Sequence, residues 1–306
     1  MPISNNLRGA IYMSISMIGF TANDTMTKSA SAFMNMGQVM LLRGLFATIL
    51  IVLLAWSQGA LRNPRQALHP LVALRSTCEA LATIAFLIAL ANIPLATVSA
   101  VLQALPLAVT MGAAIAFGEE VRWRRWAAIV VGFTGVLIIV RPGNDGFNAY
   151  ALWALASVGF CTVRDLATKR LPQSIPSLLV SSVTAALVMV CGAFLVAPMG
   201  GWSPVSLETL GLLATAAVLL LVGYQGIIMA MRTAEISYVA PFRYTALLWA
   251  ILLGYLVFGD VPDGPMIVGA LIVVVSGLYT LYRERVAGRG QPAAASTTPA
   301  MAPDGL

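Results

Sequence analysis

Hydrophobic residues along this chain gather into long windows separated by short polar stretches. Windows able to cross about 30 Å of hydrocarbon at ~1.5 Å per residue predict helices at residues 9–27, 37–56, 71–91, 95–117 and 124–140. A second set is predicted at residues 147–165, 175–197, 207–231, 236–258 and 265–282. The pattern predicts an all-α integral membrane protein with ten transmembrane helices. Connections such as ANIPLA (91–96) are short, so successive helices are expected to run antiparallel. Large apolar residues become scarce near the end, and 286–306 reads as a disordered cytoplasmic tail. The first window, with Arg8 before it and SASA (29–32) after it, has the outline of a cleaved signal. Asn23, Asp24 and Lys28 intervene between its apolar part and any cut, so it is expected to be retained.

A shift of 141 residues relates the two sets of helices. It places NDTMTK (23–28) on RDLATK (164–169), ALANIPLATVSAV (89–101) on AMRTAEISYVAPF (230–242), and Phe117-Gly118-Glu119 on Phe258-Gly259-Asp260. The expected units are therefore 1–141 and 142–285, with five helices each. An odd count sends the second unit into the membrane from the opposite side, giving two inverted five-helix repeats. Such repeats suit a carrier whose site, lying between them, opens first to one side and then to the other.

Composition agrees with a membrane setting: 59% of the 306 residues are hydrophobic and 10% charged, with mean hydropathy +0.87. A soluble fold could not hide so many apolar windows. With the N-terminus inside, Arg8, Arg62, Arg65, Arg122, Arg124, Arg125, Lys169, Arg170, Arg232 and Arg283 fall on the cytoplasmic side, leaving Lys28 and Arg141 outside. That asymmetry predicts cytoplasmic termini in a bacterial inner membrane. No basic, aromatic-interleaved segment suggests nucleic acid. Cys78, Cys161 and Cys191 are scattered and His69 is the single histidine, so neither a metal site nor any cofactor is expected.

Charges deep inside apolar windows are costly, and they mark cavities or pathways. Arg43, Glu79 and Arg243 are such charges, and under the 141 shift they face Thr184, Leu220 and Leu102. A substrate lacks two-fold symmetry, so charges that break the repeat are candidates for binding it. The bland alternatives are snorkelling of Arg43 and an internal pair between Arg243 and Glu79. Gln103 and Tyr244 coincide under the shift and, with Tyr224, join the candidate substrate-binding set; Gln225, Phe242 and Trp249 could line the same space. Glu79 is also a candidate for a coupling proton. Asp24, Lys28, Asp165 and Lys169 read as gating or structural residues, with each Lys able to pair with the Asp four positions before it. Glu119 and Asp260 read as turn and helix-capping residues. Gly132, Gly135, Gly269 and Gly277 mark helices built for close packing, within the chain or in a homodimer.

Ten short helices in two repeats, the A-L-x-x-I-P-x-A-x-x-S-A segment (89–100), Pro106 and FGEEVRWRRWAAIVVGFTGVLIIV (117–140) resemble the EamA-like branch of the drug/metabolite transporter superfamily. The second half departs from the family pattern in carrying Asp260 where Glu is usual and no proline opposite Pro106. The resemblance implies a transporter in contact with lipid. Relatives export amino acids and other metabolites, or import compounds such as riboflavin and S-adenosylmethionine. The expected function is secondary transport of a small polar metabolite, carboxylate-bearing or planar and aromatic, since guanidinium serves both chemistries. The rival readings are a non-transporting membrane scaffold or receptor, for which the sequence has no sizeable soluble domain, and an enzyme, for which it has no catalytic constellation.

Overall fold

The computed structural model describes residues 5–118, 121–142, 148–172, 174–234 and 236–286. Among these every regular element is helical: α1 Asn5–Ala30, α2 Met36–Ser57, α3 Pro70–Asn92, α4 Leu95–Leu102, α5 Leu105–Phe117, α6 Trp123–Val140, α7 Tyr150–Lys169, α8 Ser177–Val196, α9 Leu207–Thr233, α10 Ile236–Val239, α11 Thr245–Phe258 and α12 Gly264–Val286. Single 3₁₀ turns span Pro64–Leu68 and Ala240–Tyr244. Glu119, expected to cap a helix, and the stretch from residue 287 onward, expected as a tail, lie outside the described residues.

Among the described residues, eight helical segments are long and apolar enough to span a membrane. α1 and α7 fall outside that set because they carry the two polar D-x-x-T-K endings, yet they lie along α9 and α3 respectively. α2 likewise packs along α8 and α6 along α12. Large apolar side chains face outward over these helices, among them Ile49, Val131, Leu248 and Leu271. In water such a surface would drive aggregation, whereas hydrocarbon accepts it.

Local chemistry explains the helix ends. Asn35 and Ser206 cap α2 and α9, accepting from the amides of Gln38 and Thr209. His69 caps α3, its Nδ1 accepting from Leu71 N at 3.2 Å, with Pro70 in the first turn. Gly118 and Gly259, each after a Phe, end α5 and α11 in the left-handed region at φ 66° and 70°.

Two predicted spans differ from expectation. The window 95–117 bends between α4 and α5, where Pro106 supplies no N–H and crowds the carbonyl four residues back. The window 236–258 breaks over the 3₁₀ turn containing Pro241, so a proline that the 141 shift does not match with Pro106 makes the second break. The helix cap expected of Asp260 belongs instead to Asp263, whose Oδ1 accepts from Met266 N at 2.9 Å.

Arg141 at the end of α6 also pairs with Asp263. Their hydrogen bond holds the Asp263 carboxyl below its ordinary value of 3.8. The resulting stability is present above the unfolded value and is lost as pH falls through the depressed folded one. Both partners are partly exposed, so the effect is small. Asp263→Asn, which keeps the cap, is expected to lower Tm slightly at pH 7 and less at pH 3, as scanning fluorimetry would read.

The helix glycines act within the chain. A Cβ at Gly135 would sit 2.8 Å from Gly269 O, and one at Gly269 would sit 2.6 Å from Gly135 O, so α6 and α12 touch backbone to backbone. A Cβ at Gly277 would lie 1.8 Å from the Tyr244 hydroxyl.

Candidate functional site

Between the helices lies a cavity of about 630 Å³. Its wall includes all six predicted substrate-binding residues, Arg43, Glu79, Gln103, Tyr224, Arg243 and Tyr244, together with Asp24. Lys28, Asp165 and Lys169 do not border it. Gln225 does, whereas Phe242 and Trp249 pack with Met13, Met17 and Ile227 between α1 and α9.

Glu79 does not form the internal pair with Arg243 that was one reading of the sequence. Its Oε2 accepts from Arg164 Nη1 at 2.7 Å, while Arg164 Nε also reaches Asp165 Oδ1 at 2.7 Å. Arg164 is 1% exposed and so holds two carboxylates from inside the bundle. Arg75, almost as buried, donates to Thr168 Oγ1 at 3.1 Å and to Thr184 Oγ1 at 2.8 Å. Ser76 shares a 2.8 Å hydrogen bond with that same Thr184 hydroxyl. α3, α7 and α8 are thereby tied by one polar network. Breaking a buried pair strands the remaining charge, so Arg164→Leu is expected to cost about 3–5 kcal/mol of stability, read by thermal unfolding in detergent.

On the facing side, Asn23 (2% exposed) donates from Nδ2 to Asp24 Oδ1 at 2.9 Å. Asn23 Oδ1 accepts a long 3.4 Å contact from Arg43 Nη1. Asp24 thus takes Asn23 rather than Lys28, correcting the expected i,i+4 pair. The Lys28 ammonium donates to Ile93 O at 2.5 Å and lies 5.3 Å from the Phe258 ring. Asp165 is likewise held by Arg164, and the Lys169 ammonium lies 5.5 Å from the Phe117 ring. Tyr244 borders the cavity with its ring, but its hydroxyl is seated against Gly277 and has no hydrogen-bond partner among the described residues.

Arg75, Arg164 and Asn23 were missed because they sit near the ends of apolar windows, where a charge is normally solvated. A signal existed. Under the 141 shift Arg164 falls on Asn23, so it too is a charge without a charged counterpart.

A profile of the EamA-like transporter family matches residues 7–141. The S-adenosylmethionine uptake transporter of Rickettsia prowazekii is 26% identical, over 91% of this chain and 94% of that protein. A riboflavin transporter of Rhizobium johnstonii is 30% identical over 69% of each chain. The pseudopaline exporter CntI of Pseudomonas aeruginosa is 27% identical, over 88% of this chain and 94% of that protein. One solved crystal structure shares the fold at TM-score 0.55 and 22% identity, covering 89% of this chain and 98% of that one.

Outward-facing apolar helices around a charged central cavity, with transporters as relatives, define a multi-pass bacterial membrane transporter. The chain belongs to the EamA-like transporter family of the drug/metabolite transporter superfamily.

Proposed function

We propose that the protein is a secondary transporter that carries a small polar metabolite, carboxylate-bearing or planar and aromatic, across the bacterial inner membrane by alternating access. Its moving parts are two inverted five-helix repeats, about 1–141 and 142–285. The observation that carries this reading is a pair of reciprocal contacts: Lys28 over Phe258 at 5.3 Å and Lys169 over Phe117 at 5.5 Å. Lys28 and Lys169 are related by the 141 shift, and so are Phe117 and Phe258. Each repeat therefore places its lysine on the other repeat's phenylalanine, as a two-fold axis in the membrane plane requires.

The helix pairs obey the same exchange. α1 against α9 becomes α7 against α3, while α2 against α8 and α6 against α12 map onto themselves. Two related packings do not follow it. α4 packs on α11, whereas its counterpart, α10 on α5, is not similarly packed among the described residues. Lys28 reaches the Ile93 carbonyl across the ends of α1 and α3. The cavity wall extends toward the opposite ends, to Gln58, Ser177, Arg232 and Leu281. With the basic connections inside, this is the cytoplasm-open state with its outer side latched. Exchanging the roles of the repeats predicts the other state: Lys28 leaves Ile93, and Lys169 takes the matching carbonyl, that of Ala234.

The test uses a chain with Cys78, Cys161 and Cys191 replaced by Ala and cysteines introduced at Lys28 and Ile93. Bridging these two with a short reducible cross-linker should stop flux into proteoliposomes, and reduction should restore it. Undiminished flux in the bridged protein overturns alternating access through this latch.

A proton gradient as the driving force is tested separately. Glu79, the candidate carrier, is engaged by Arg164 at 2.7 Å. Uptake that ignores an imposed pH gradient rejects the coupling.

A further inference from the structure

We infer that Asp24, Asn23 and Arg43 form a clamp for an α-amino-carboxylate headgroup, with the substrate's carboxylate on Arg43 and its ammonium on Asp24. The inference rests on the transporter reading above and narrows its substrate class, setting flavins aside.

The cluster is an ion pair held open. Asp24 and Arg43 both border the cavity, on α1 and α2, yet among the described residues neither enters a direct ion pair. Asn23 stands between them, donating to Asp24 at 2.9 Å and receiving Arg43 at 3.4 Å. The second contact is longer than a good N–H···O bond, so the planar fork of Arg43 keeps strong donors available to a carboxylate. Asn23 is itself fixed. It is 2% exposed, so packing confines its amide between Asp24 and Arg43.

Two other charges on the wall have prior engagements. Glu79 is bound by Arg164, and Arg75 by Thr168 and Thr184. Among the described residues Asp24 is thus the wall carboxylate whose hydrogen bond comes from a neutral amide, and a substrate ammonium supplies a direct ionic partner.

Charge balance argues for a zwitterion rather than a simple acid. The clamp is formally neutral, and so is an α-amino-carboxylate, whose opposite charges are joined through one carbon. Loading it leaves no net charge in a low-dielectric space, where an unmatched one would be costly. When the substrate leaves, Asn23 again links the two side chains, so the unloaded carrier can cross its conformational cycle without a stranded charge.

The experiment measures binding to, and flux through, the full-length protein in proteoliposomes. The probes are the twenty L-amino acids, S-adenosylmethionine and riboflavin, followed by the decarboxylated and deaminated forms of the best ligand. At least one zwitterion is expected to bind and cross, with either trimmed form weaker by about 10- to 100-fold, the range of a charge-assisted hydrogen bond. Asp24→Asn, a near-isosteric change, should weaken the zwitterion by a similar factor and the deaminated acid by less than about threefold. Arg43→Gln should show the converse selectivity against the decarboxylated amine. Equal losses for whole and trimmed ligands, or no zwitterion bound at all, overturn the clamp. Riboflavin flux with zwitterions ignored sinks the clamp and leaves the transporter standing. Zwitterion binding without flux of any probe sinks the transporter and leaves the clamp.

Discussion

Arg243→Gln is expected to reduce flux roughly 30- to 5,000-fold while leaving the amount of protein in the membrane unchanged. Arg243 follows Pro241 in the 3₁₀ turn that precedes α11, at the cavity wall. The turn matters because a regular helix would direct its side chains by the ordinary 3.6-residue period, whereas this break falls where Arg243 and Tyr244 both border the cavity. Truncating one member of a desolvated charged contact costs on the order of 2–5 kcal/mol, which gives the expected loss. Arg243→Lys is expected to recover little, since a point-charge ammonium lacks the planar fork. Flux is to be measured for whichever of the named probes the wild type carries, with abundance checked by immunoblot of the same membranes. Wild-type flux in the Gln variant would remove Arg243 from the site.

The second large effect concerns assembly. Gly269→Leu should abolish recovery of folded protein, because even the first carbon of the new side chain would sit 2.6 Å from the carbonyl oxygen of Gly135 and from Ile139. Backbone cannot retreat as a flexible side chain can, so α6 and α12 must separate. Overpacking typically costs 1–3 kcal/mol, and more where helices are forced apart. Gly211→Ala is the control: nothing lies within 4 Å of its new Cβ, and size-exclusion profiles should match the wild type. A monodisperse Gly269→Leu protein with normal Tm would show that this contact is dispensable.

Much of the architecture was legible because the bilayer imposes a one-dimensional rule. A span must be long and apolar, so windows in the sequence map onto helices with few alternatives. The offset of 141 was legible for a related reason: the shift places Lys28 on Lys169 and Phe117 on Phe258. Their recurrence could be read without knowing that they touch. The breaks at α4 and α10 were harder. Pro106 and Pro241 do not align, and a proline in a membrane helix is tolerated when neighbours satisfy the freed carbonyl, so the residue alone does not announce a break.

The site was half legible. Arg43, Glu79 and Arg243 stood out because they interrupt apolar windows, and all three border the cavity. Arg164 and Arg75 did not, since the same residue near a helix end is usually an interfacial anchor. Whether an end lies in water or in the bundle depends on which helices cross beside it. Here α7 crosses along α3, and α8 closes on α3 as well, so Arg164 and Arg75 are enclosed.

By itself, the sequence determined that the protein is a helical membrane protein with charges inside its apolar windows, because burial cost and span length act residue by residue along the chain. Only the tertiary structure decided partnership: that Glu79 belongs to Arg164, that Lys28 reaches Ile93 rather than Asp24, and that Asn23 stands between Asp24 and Arg43. Charges interact through distance in space, and between helices that distance is set by packing, for which sequence separation is no guide.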